Sequence, residues 1–350
     1  MISSLQSWRF IFAIMIFLHH FPVDGTGLFK AGGSCGVSFF IVLSGFVMSS
    51  GYGNRCRQRS FIYWDFLEKR LVRLYPLHLL CLILFVFIRL FSSHGPEWGA
   101  LIPNLLLVQS WIPDSEYYFS GNAVSWCLAD MLFFYVSFPL LIRFVFICKK
   151  RLCLFFFGVF LLYFTALYFT PAGKVHAFFY IFPLSRLVDF IIGMLLYHVH
   201  QYVDQIAWIN KLKRLSYTKK TLIECMPIVL LILALLFFPL IDPKIYVACY
   251  YWFPMSFLIL LFAIFNKNGG GITCLLTNKA MLYLGSISFS FYMLHLLIIN
   301  TSNALLSQLG ITLLWEYKLP LYLLFALIAS ILISKYYEQP IVSFYKKKVK

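Results

Sequence analysis

Charged residues are scarce in this sequence: Asp, Glu, Lys and Arg together make up 12% of its 350 residues, whereas hydrophobic residues make up 61%. A soluble domain cannot cover so many apolar runs, so this scarcity excludes an ordinary soluble protein. No stretch between the apolar runs is long enough to form a separate soluble domain. The composition therefore indicates a polytopic membrane protein.

Metal-binding motifs, a secretion leader and repeats are missing as well. The nine cysteines are scattered, with no Cys-x-x-Cys pair and no zinc-ligand spacing, so we expect no metal site. The first residues lack a Lys/Arg-rich leader and a clear cleavage site, which predicts that the first apolar segment is retained as a span. No convincing internal repeat is visible, and this weakens the interpretation as a repeat-built transporter.

Ten apolar segments have the length of a membrane-spanning helix, which is about 17–25 residues. We therefore predict an all-α bundle of about ten transmembrane helices. The apolar segment 101–112 is shorter and is bounded by Pro103 and Pro113, so it is predicted to be interfacial or re-entrant. The predicted spans are residues 8–23, 35–51, 75–92, 124–145, 153–170, 178–199, 225–241, 245–265, 281–301 and 319–339.

The basic residues lie in short segments between the predicted spans. Although the net charge is +16, this placement argues against a nucleic-acid partner. If the N-terminus is cytoplasmic, 23 of the 29 Lys and Arg residues are Arg9 or lie in the inner segments 52–74, 143–151, 200–224, 266–280 and 335–350. This excess of positive charge on one side predicts that both termini are cytoplasmic.

The first span carries ionisable residues that a lipid-facing helix should not have. Arg9 and His20 are eleven residues apart, which puts them within roughly 20° of one another around a helix and about 16 Å apart along it. His19 points about 80° away and is the better candidate for a bystander. Such a face favours a functional site. The alternatives are that Arg9 reaches the lipid phosphates and that His20 caps the helix or makes a polar core contact.

A second histidine lies deep in the ninth span. His295 is about 21 Å along the helix axis from Met281 at the cytoplasmic end. This depth predicts that it lies in the same half of the membrane as His20.

Two arginines lie just before the third span. Arg70 and Arg73 are three residues apart and share a helix face, where two guanidinium groups suit a phosphate-bearing ligand. The alternative is a simple positive-inside anchor. In the fourth span Asp130 follows Trp126, and a carboxylate so placed needs a partner. It either orients a histidine or closes a structural ion pair.

Small and paired residues mark two further spans. Gly45 permits a close approach between helices and Ser44 can form a hydrogen bond across them, so this pair indicates either a packing patch or a site. Arg186 and Asp189 lie at i,i+3 and can neutralise one another, and this structural interpretation is favoured. Pro340, after the last span, is predicted to end its helix.

Together these residues resemble the membrane-bound acyltransferase 3 family of integral proteins that acylate carbohydrates and related acceptors. Each motif is weak alone, but they follow the family's order over nearly the whole chain. The matches are the Arg-x10-His pair Arg9 and His20; Phe39, Phe40, Ser44, Gly45 and Phe46; Arg70, Arg73, Tyr75 and Pro76; the run from Pro183 to Gly193 with Arg186 and Asp189; Tyr292 and His295; and Glu338 and Pro340.

One motif departs from the family pattern. The family often has Trp-Ser-Leu-x-x-Glu in span four, whereas here the serine position is Cys127 and the glutamate position is Met131. Asp130 comes one residue earlier, about 100° around the helix. We expect a single acyltransferase domain over residues 1–350, without an appended hydrolase-like domain.

The resemblance implies a donor, an acceptor and a location. The donor is acyl-CoA, with acetyl-CoA expected, and no cofactor is bound. The acceptor is a hydroxyl of a surface carbohydrate or lipid-linked glycan, such as the O-antigen of lipopolysaccharide or an exopolysaccharide. The protein is expected to be integral to the plasma (bacterial inner) membrane. Since the charge topology puts His20 towards the outer half, transfer from an inner donor to an outer acceptor is expected.

The resemblance also implies residue roles. Arg70 and Arg73 dock the CoA phosphates, with Arg9 deeper along the path. His20 is the general base or forms a transient acyl-histidine. His295 is a second acid/base or binds the acceptor, and Ser44 or backbone amides near Gly45 stabilise the oxyanion. Trp126, Asp130, Arg186 and Asp189 are supporting residues.

The alternative is a lipid-linked sugar flippase, a polymerase or another polytopic transporter. These proteins also combine many spans with basic inner loops and aromatic-rich helices. They do not require a histidine pair at opposite ends of the chain, and that pair favours the acyltransferase.

Overall fold

The structure is a computed structural model that describes residues 2–21, 29–58, 60–91, 95–147, 152–203 and 206–348. The described residues form helices joined by short turns, and none of them forms a β-strand. The long helices are α1 (Ser3–His20), α2 (Ala31–Tyr52), α3 (Tyr63–Leu90), α4 (Trp126–Ile147), α5 (Leu152–Phe169), α6 (Pro183–Val203), α7 (Tyr217–Phe237), α8 (Trp252–Phe265), α9 (Lys279–Gln308) and α10 (Trp315–Ile333). They are followed by a shorter helix, α11 (Gln339–Lys348).

Each predicted span overlaps one of the long helices, and the all-α polytopic bundle is confirmed. Within the described residues seven helical segments are long and apolar enough to cross a membrane. An eighth is added if Ala172–Ile181 and Pro183–Val203, bent by 52°, form one span. α1, with its arginine and two histidines, is not among the seven. The number ten stays a prediction, and residues 22–23 of the first predicted span and residue 92 of the third lie outside the described residues.

α1 packs between α2 and α9 in the interior of the bundle. Phe12 stacks on Phe39 of α2 with ring centroids 4.0 Å apart, and Phe10 meets Phe291 of α9 at 5.6 Å. In lipid such van der Waals packing, rather than the hydrophobic effect, holds helices together. A helix in this position can keep ionisable side chains away from the lipid.

α2 and α6 touch through two glycines. A Cβ on Gly45 would overlap the carbonyl oxygen of Phe190, and a Cβ on Gly193 would overlap that of Val42. Small residues allow this approach of two backbones inside a membrane. Gly45 therefore lies in a packing contact between α2 and α6.

We expect Gly193→Ala to destabilise the protein, because the added Cβ forces α2 and α6 apart. Such overpacking costs about 1–3 kcal/mol, which should lower the melting temperature of the protein in detergent. Gly158→Ala on α5 is the matched control, since a Cβ there meets nothing within 4 Å. Equal melting temperatures for the two variants would contradict the close contact.

The segment before α4 folds onto the bundle. Its short helix Trp98–Leu105 is followed by the turn Gln109–Trp111. The side-chain amide of the buried Asn104 donates hydrogen bonds to the Ser120 carbonyl at 2.6 Å and to Ser125 Oγ at 3.1 Å, and the backbone carbonyl of Asn104 accepts one from His78 Nε2 at 3.0 Å. Segment 101–112 is not among the spanning helices, and its interfacial or re-entrant placement stays a prediction.

Two boundaries differ from the predictions. α3 begins at Tyr63 rather than at residue 75, so Arg70 and Arg73 lie on the helix and Pro76 lies inside it. After α10 a π-helical turn, Ser334–Glu338, leads into α11, so the prediction that Pro340 ends the helix is wrong. Proline is tolerated in the first turn of a helix because its missing N–H has no partner there.

Candidate active site

Helices α1, α2, α3, α4 and α9 enclose a cavity of about 180 Å³, which we call the central cavity. Its wall is mostly apolar. The polar side chains of its lining are Arg9, Ser44, Ser50, Arg70, Arg73, Cys127, Tyr135, Ser288 and Tyr292.

A larger cavity of about 820 Å³, the mouth cavity, adjoins the central one and shares Arg70 and Arg73 with it. Its lining is more polar and includes Arg55, Lys69 and Lys346. We call this end of the bundle the arginine end. The start of α1 lines the central cavity and α11 lines the mouth cavity, so both described ends of the chain lie there. That this end is cytoplasmic stays a prediction.

Three arginines face the central cavity, and Arg9 lies within electrostatic range of Glu338 in the adjoining mouth cavity. Arg9 comes from α1, and Arg70 and Arg73 come from one face of α3. Within the described part of the chain none of the three forms an ion pair. Arg70 stacks on Tyr52, with its guanidinium carbon 4.6 Å from the ring centroid, and donates a hydrogen bond to the hydroxyl. Unpaired guanidinium groups around one space favour an anion, and their forked donors suit phosphate.

Tyr135 and Glu338 are among the cavity-lining residues that have no role in the sequence-based prediction. Tyr135 lines the central cavity on α4, where it continues the i,i+4 spacing of Cys127 and Met131, and that spacing is the signal that would have identified it. Glu338 lines the mouth cavity and accepts a hydrogen bond of 2.7 Å from Ser290 Oγ.

The two predicted histidines meet at the other end of α1, which we call the histidine end. His20 Nδ1 lies 3.1 Å from His295 Nε2, although the residues are 275 apart in the sequence. His20 Nδ1 is also 2.9 Å from the Ile16 carbonyl oxygen, and His295 Nδ1 is 2.6 Å from the Tyr292 carbonyl oxygen. His19 is exposed and bonds instead to the Lys30 carbonyl at 2.8 Å.

These contacts assign the tautomers of the two neutral rings. A carbonyl oxygen only accepts, so Nδ1 carries the hydrogen in both imidazoles. His20 Nδ1–H is then shared between Ile16 and Nε2 of His295, and His20 Nε2 is left with a lone pair. His295 orients His20, which can take a proton from a hydroxyl that reaches Nε2. No three His, Cys, Asp or Glu side chains in the described ranges are placed to hold a metal ion.

Ser44 and Gly45 point in different directions. Ser44 lines the central cavity, whereas Gly45 faces α6. The backbone amides near Gly45 lie in the interior of α2, where helical hydrogen bonds use them. Ser44 Oγ is therefore the better candidate for stabilising the oxyanion, and that role stays a prediction.

Arg186 and Asp189 form a buried pair between α6 and α2. Their side chains are 0% exposed, and Arg186 Nη1 lies 3.5 Å from Asp189 Oδ1. Arg186 Nη2 donates to Ser38 Oγ at 3.5 Å, and the guanidinium carbon lies 5.5 Å from the ring centroid of Tyr180. The pair thus forms the ion pair favoured by its i,i+3 spacing, and neither residue lines the central cavity as described.

Asp130 occupies a different face of α4 from the cavity lining. Met131, at the family's glutamate position, lines the central cavity, and Asp130 is not among the lining residues described. Asp130 is buried, with Ser110 and Arg186 within interaction range of its carboxylate. The described contacts place it beside the buried pair and not beside the histidines. Trp126 packs on the same side, with its ring 5.1 Å from Tyr180.

Comparisons with known proteins identify the family of the chain. The family described as "Acyltransferase domain" matches residues 2–336. The chain is 34% identical over 159 residues to "Acyltransferase MdmB" of Streptomyces mycarofaciens, a match that covers 41% of this chain and 40% of that protein. No solved structure matches the chain.

Proposed function

This chain belongs to the acyltransferase 3 family, and we propose that it transfers an acyl group from cytoplasmic acyl-CoA to a carbohydrate hydroxyl. The observation that carries the proposal is the convergence of Arg9, Arg70 and Arg73, unpaired in the described part of the chain, on one cavity. A donor with several phosphates supplies the anion that these cations need. An uncharged donor would leave the three positively charged guanidinium groups facing each other.

The two cavities divide the donor between them. The nucleotide phosphates occupy the mouth cavity, where Lys69 and Lys346 add positive charge to that of Arg70 and Arg73. The uncharged arm that carries the thioester passes into the central cavity, whose wall is mostly apolar. This order points the acyl group towards the histidine end.

The histidine pair performs the proton transfer. His20 Nε2 accepts the proton of the acceptor hydroxyl while its oxygen attacks the thioester carbonyl carbon. When the tetrahedral intermediate collapses, the carbon–sulfur bond breaks and the proton passes to the CoA sulfur. His295 Nε2 accepts from His20 Nδ1–H and holds the ring in the required tautomer. A transient acyl-histidine on the same Nε2 gives the same products.

The proposal includes the direction of transfer. The positive-inside prediction makes the arginine end cytoplasmic, so the donor enters from inside and the acceptor reaches His20 from the outer side of the plasma (bacterial inner) membrane. Acetyl is the expected acyl group, and a surface or lipid-linked glycan is the expected acceptor. Membranes with and without the protein, supplied with radiolabelled acetyl-CoA, test this. Label should enter glycan or lipid only when the protein is present, and donor-independent movement of substrate would contradict it.

Loss of the two α3 arginines should weaken donor binding. We expect Arg70→Ala with Arg73→Ala to raise the KM for acetyl-CoA by roughly a hundredfold or more, because each of the two lost hydrogen bonds to a charged group contributes about 1.5–3 kcal/mol. The control is Lys211→Ala with Arg214→Ala, which removes two exposed charges of the same spacing from outside both described cavities. An unchanged KM in the arginine variant would remove this role.

A further inference from the structure

Two touching aromatic rings lie on the side of the central cavity that faces the histidines, where Val37, Cys127 and Leu128 also line it. Phe40 of α2 and Tyr292 of α9 both line the cavity, and their ring centroids are 6.0 Å apart, which is contact distance for an aromatic pair. On the far side the Tyr292 ring lies 5.9 Å from the ring of His295. We propose that Phe40 and Tyr292 form the end wall of the donor cavity and restrict the transferred acyl group to a small one. This inference rests on the proposed function.

The helix geometry places this wall between the arginines and the histidines. On α9, Phe289 lines the cavity one turn before Tyr292, and His295 comes about 4.5 Å beyond Tyr292. On α1, Arg9 lines the cavity, and His20 lies about 16 Å further along the helix. Among the described residues neither histidine lines the cavity. The two rings therefore lie along the path of an acyl group that approaches His20 from the arginine end.

One ring of the wall is held by hydrogen bonds and the other by packing alone. The Tyr292 hydroxyl donates a 2.8 Å hydrogen bond to the Val124 carbonyl, and Asn122 Nδ2 donates 2.7 Å to the next carbonyl of α9, that of Met293. These bonds hold Tyr292 against the segment before α4. Phe40 has no polar atom to anchor it and is half-buried. The width of the wall's opening thus depends on the rotation and size of the Phe40 side chain.

This geometry predicts a donor preference that Phe40 controls. An acetyl group adds one methyl beyond the carbonyl and is small enough to pass the rings and reach His20, whereas butyryl and isovaleryl groups must displace them. Phe40→Ala removes one ring, and the cavity then accommodates the additional methylene groups. We expect the ratio of kcat/KM for butyryl-CoA to that for acetyl-CoA to rise by roughly tenfold, given the contribution of each buried methylene.

The experiment measures acetyl-, butyryl- and isovaleryl-CoA with the full chain in membranes. Phe289→Ala is the matched control, because it removes the same ring from the same cavity one turn nearer the arginine end and should leave the ratio unchanged. Phe40→Leu, a smaller change, should shift the ratio in the same direction by less and covers the case in which Phe40→Ala does not fold.

The outcomes separate this inference from the proposed function. A wild type that uses acetyl-CoA, together with Phe40 variants whose donor ratio is unchanged, overturns the end wall alone. A wild type that uses butyryl- or isovaleryl-CoA as well as acetyl-CoA also overturns it. A wild type that turns over no acyl-CoA overturns the proposed function, and the end wall with it.

Discussion

Replacing His20 with alanine is expected to lower acyl transfer by about 10²–10⁴-fold, the usual contribution of a positioned general base. The reason is the tautomer: Nδ1–H is held by Ile16 and His295, so Nε2 has the free lone pair. The measurement is transfer of radiolabel from acetyl-CoA in membranes that contain equal amounts of protein. A fully active His20→Ala variant would contradict the assignment.

The neighbouring histidine provides the control. His19→Ala removes the same side chain from the same turn of α1, but His19 is exposed and its ring bonds to the Lys30 carbonyl and not to His295. We expect near-normal transfer from it. His295→Ala removes the acceptor for His20 Nδ1–H, so it should lower kcat and alter its pH profile while the KM for the donor stays unchanged.

Base catalysis and covalent catalysis by His20 differ in one observable. An acyl-histidine leaves the acyl group on the protein when a reaction without acceptor is quenched, whereas a general base leaves none. Mass spectrometry of the peptide that carries His20 distinguishes them. Both mechanisms require the same free Nε2, so His20→Ala tests the site and the quench tests the route.

The sequence predicted the parts of the site that lie on a single helix. Apolar runs located the long helices, and the i,i+3 spacing placed Arg70 and Arg73 on one face, as the structure shows. Counting residues along α9 placed His295 in the same half as His20. Such predictions succeed because the rise and rotation of a helix are fixed by its backbone.

The parts that depend on which helices are neighbours could not be predicted. The contact between His20 and His295 joins residues 275 apart, and nothing in either helix alone specifies it. The spacing of α2 likewise did not show that Ser44 faces the cavity while Gly45 touches α6. Direction around an almost wholly apolar helix is decided by packing, because the sequence has no polar face to indicate it.

Loss of Arg186 is expected to unfold the protein rather than to impair its chemistry. Arg186 is 0% exposed and pairs with Asp189, with the buried Asp130 within range. Arg186→Leu leaves two carboxyl groups in a low-dielectric interior without a cation, and breaking a buried pair in this way costs about 3–5 kcal/mol. We expect less monodisperse protein in detergent and a lower melting temperature.

The double variant makes this expectation specific. Arg186→Leu with Asp189→Leu removes both charges of the pair, and apolar replacements of a whole buried pair are often neutral or stabilising. The double variant should therefore melt at a higher temperature than the single variant. It should still melt below the wild type, because the buried Asp130 carboxyl loses the nearby cation in both variants. If Arg186→Leu instead folds and melts like the wild type but fails to transfer acyl groups, the pair acts on the reaction. Because the pair does not line the central cavity as described, its effect would then have to reach the cavity through α2. Ser38 of α2 contacts Arg186, and the same helix carries the cavity-lining Phe40 and Ser44.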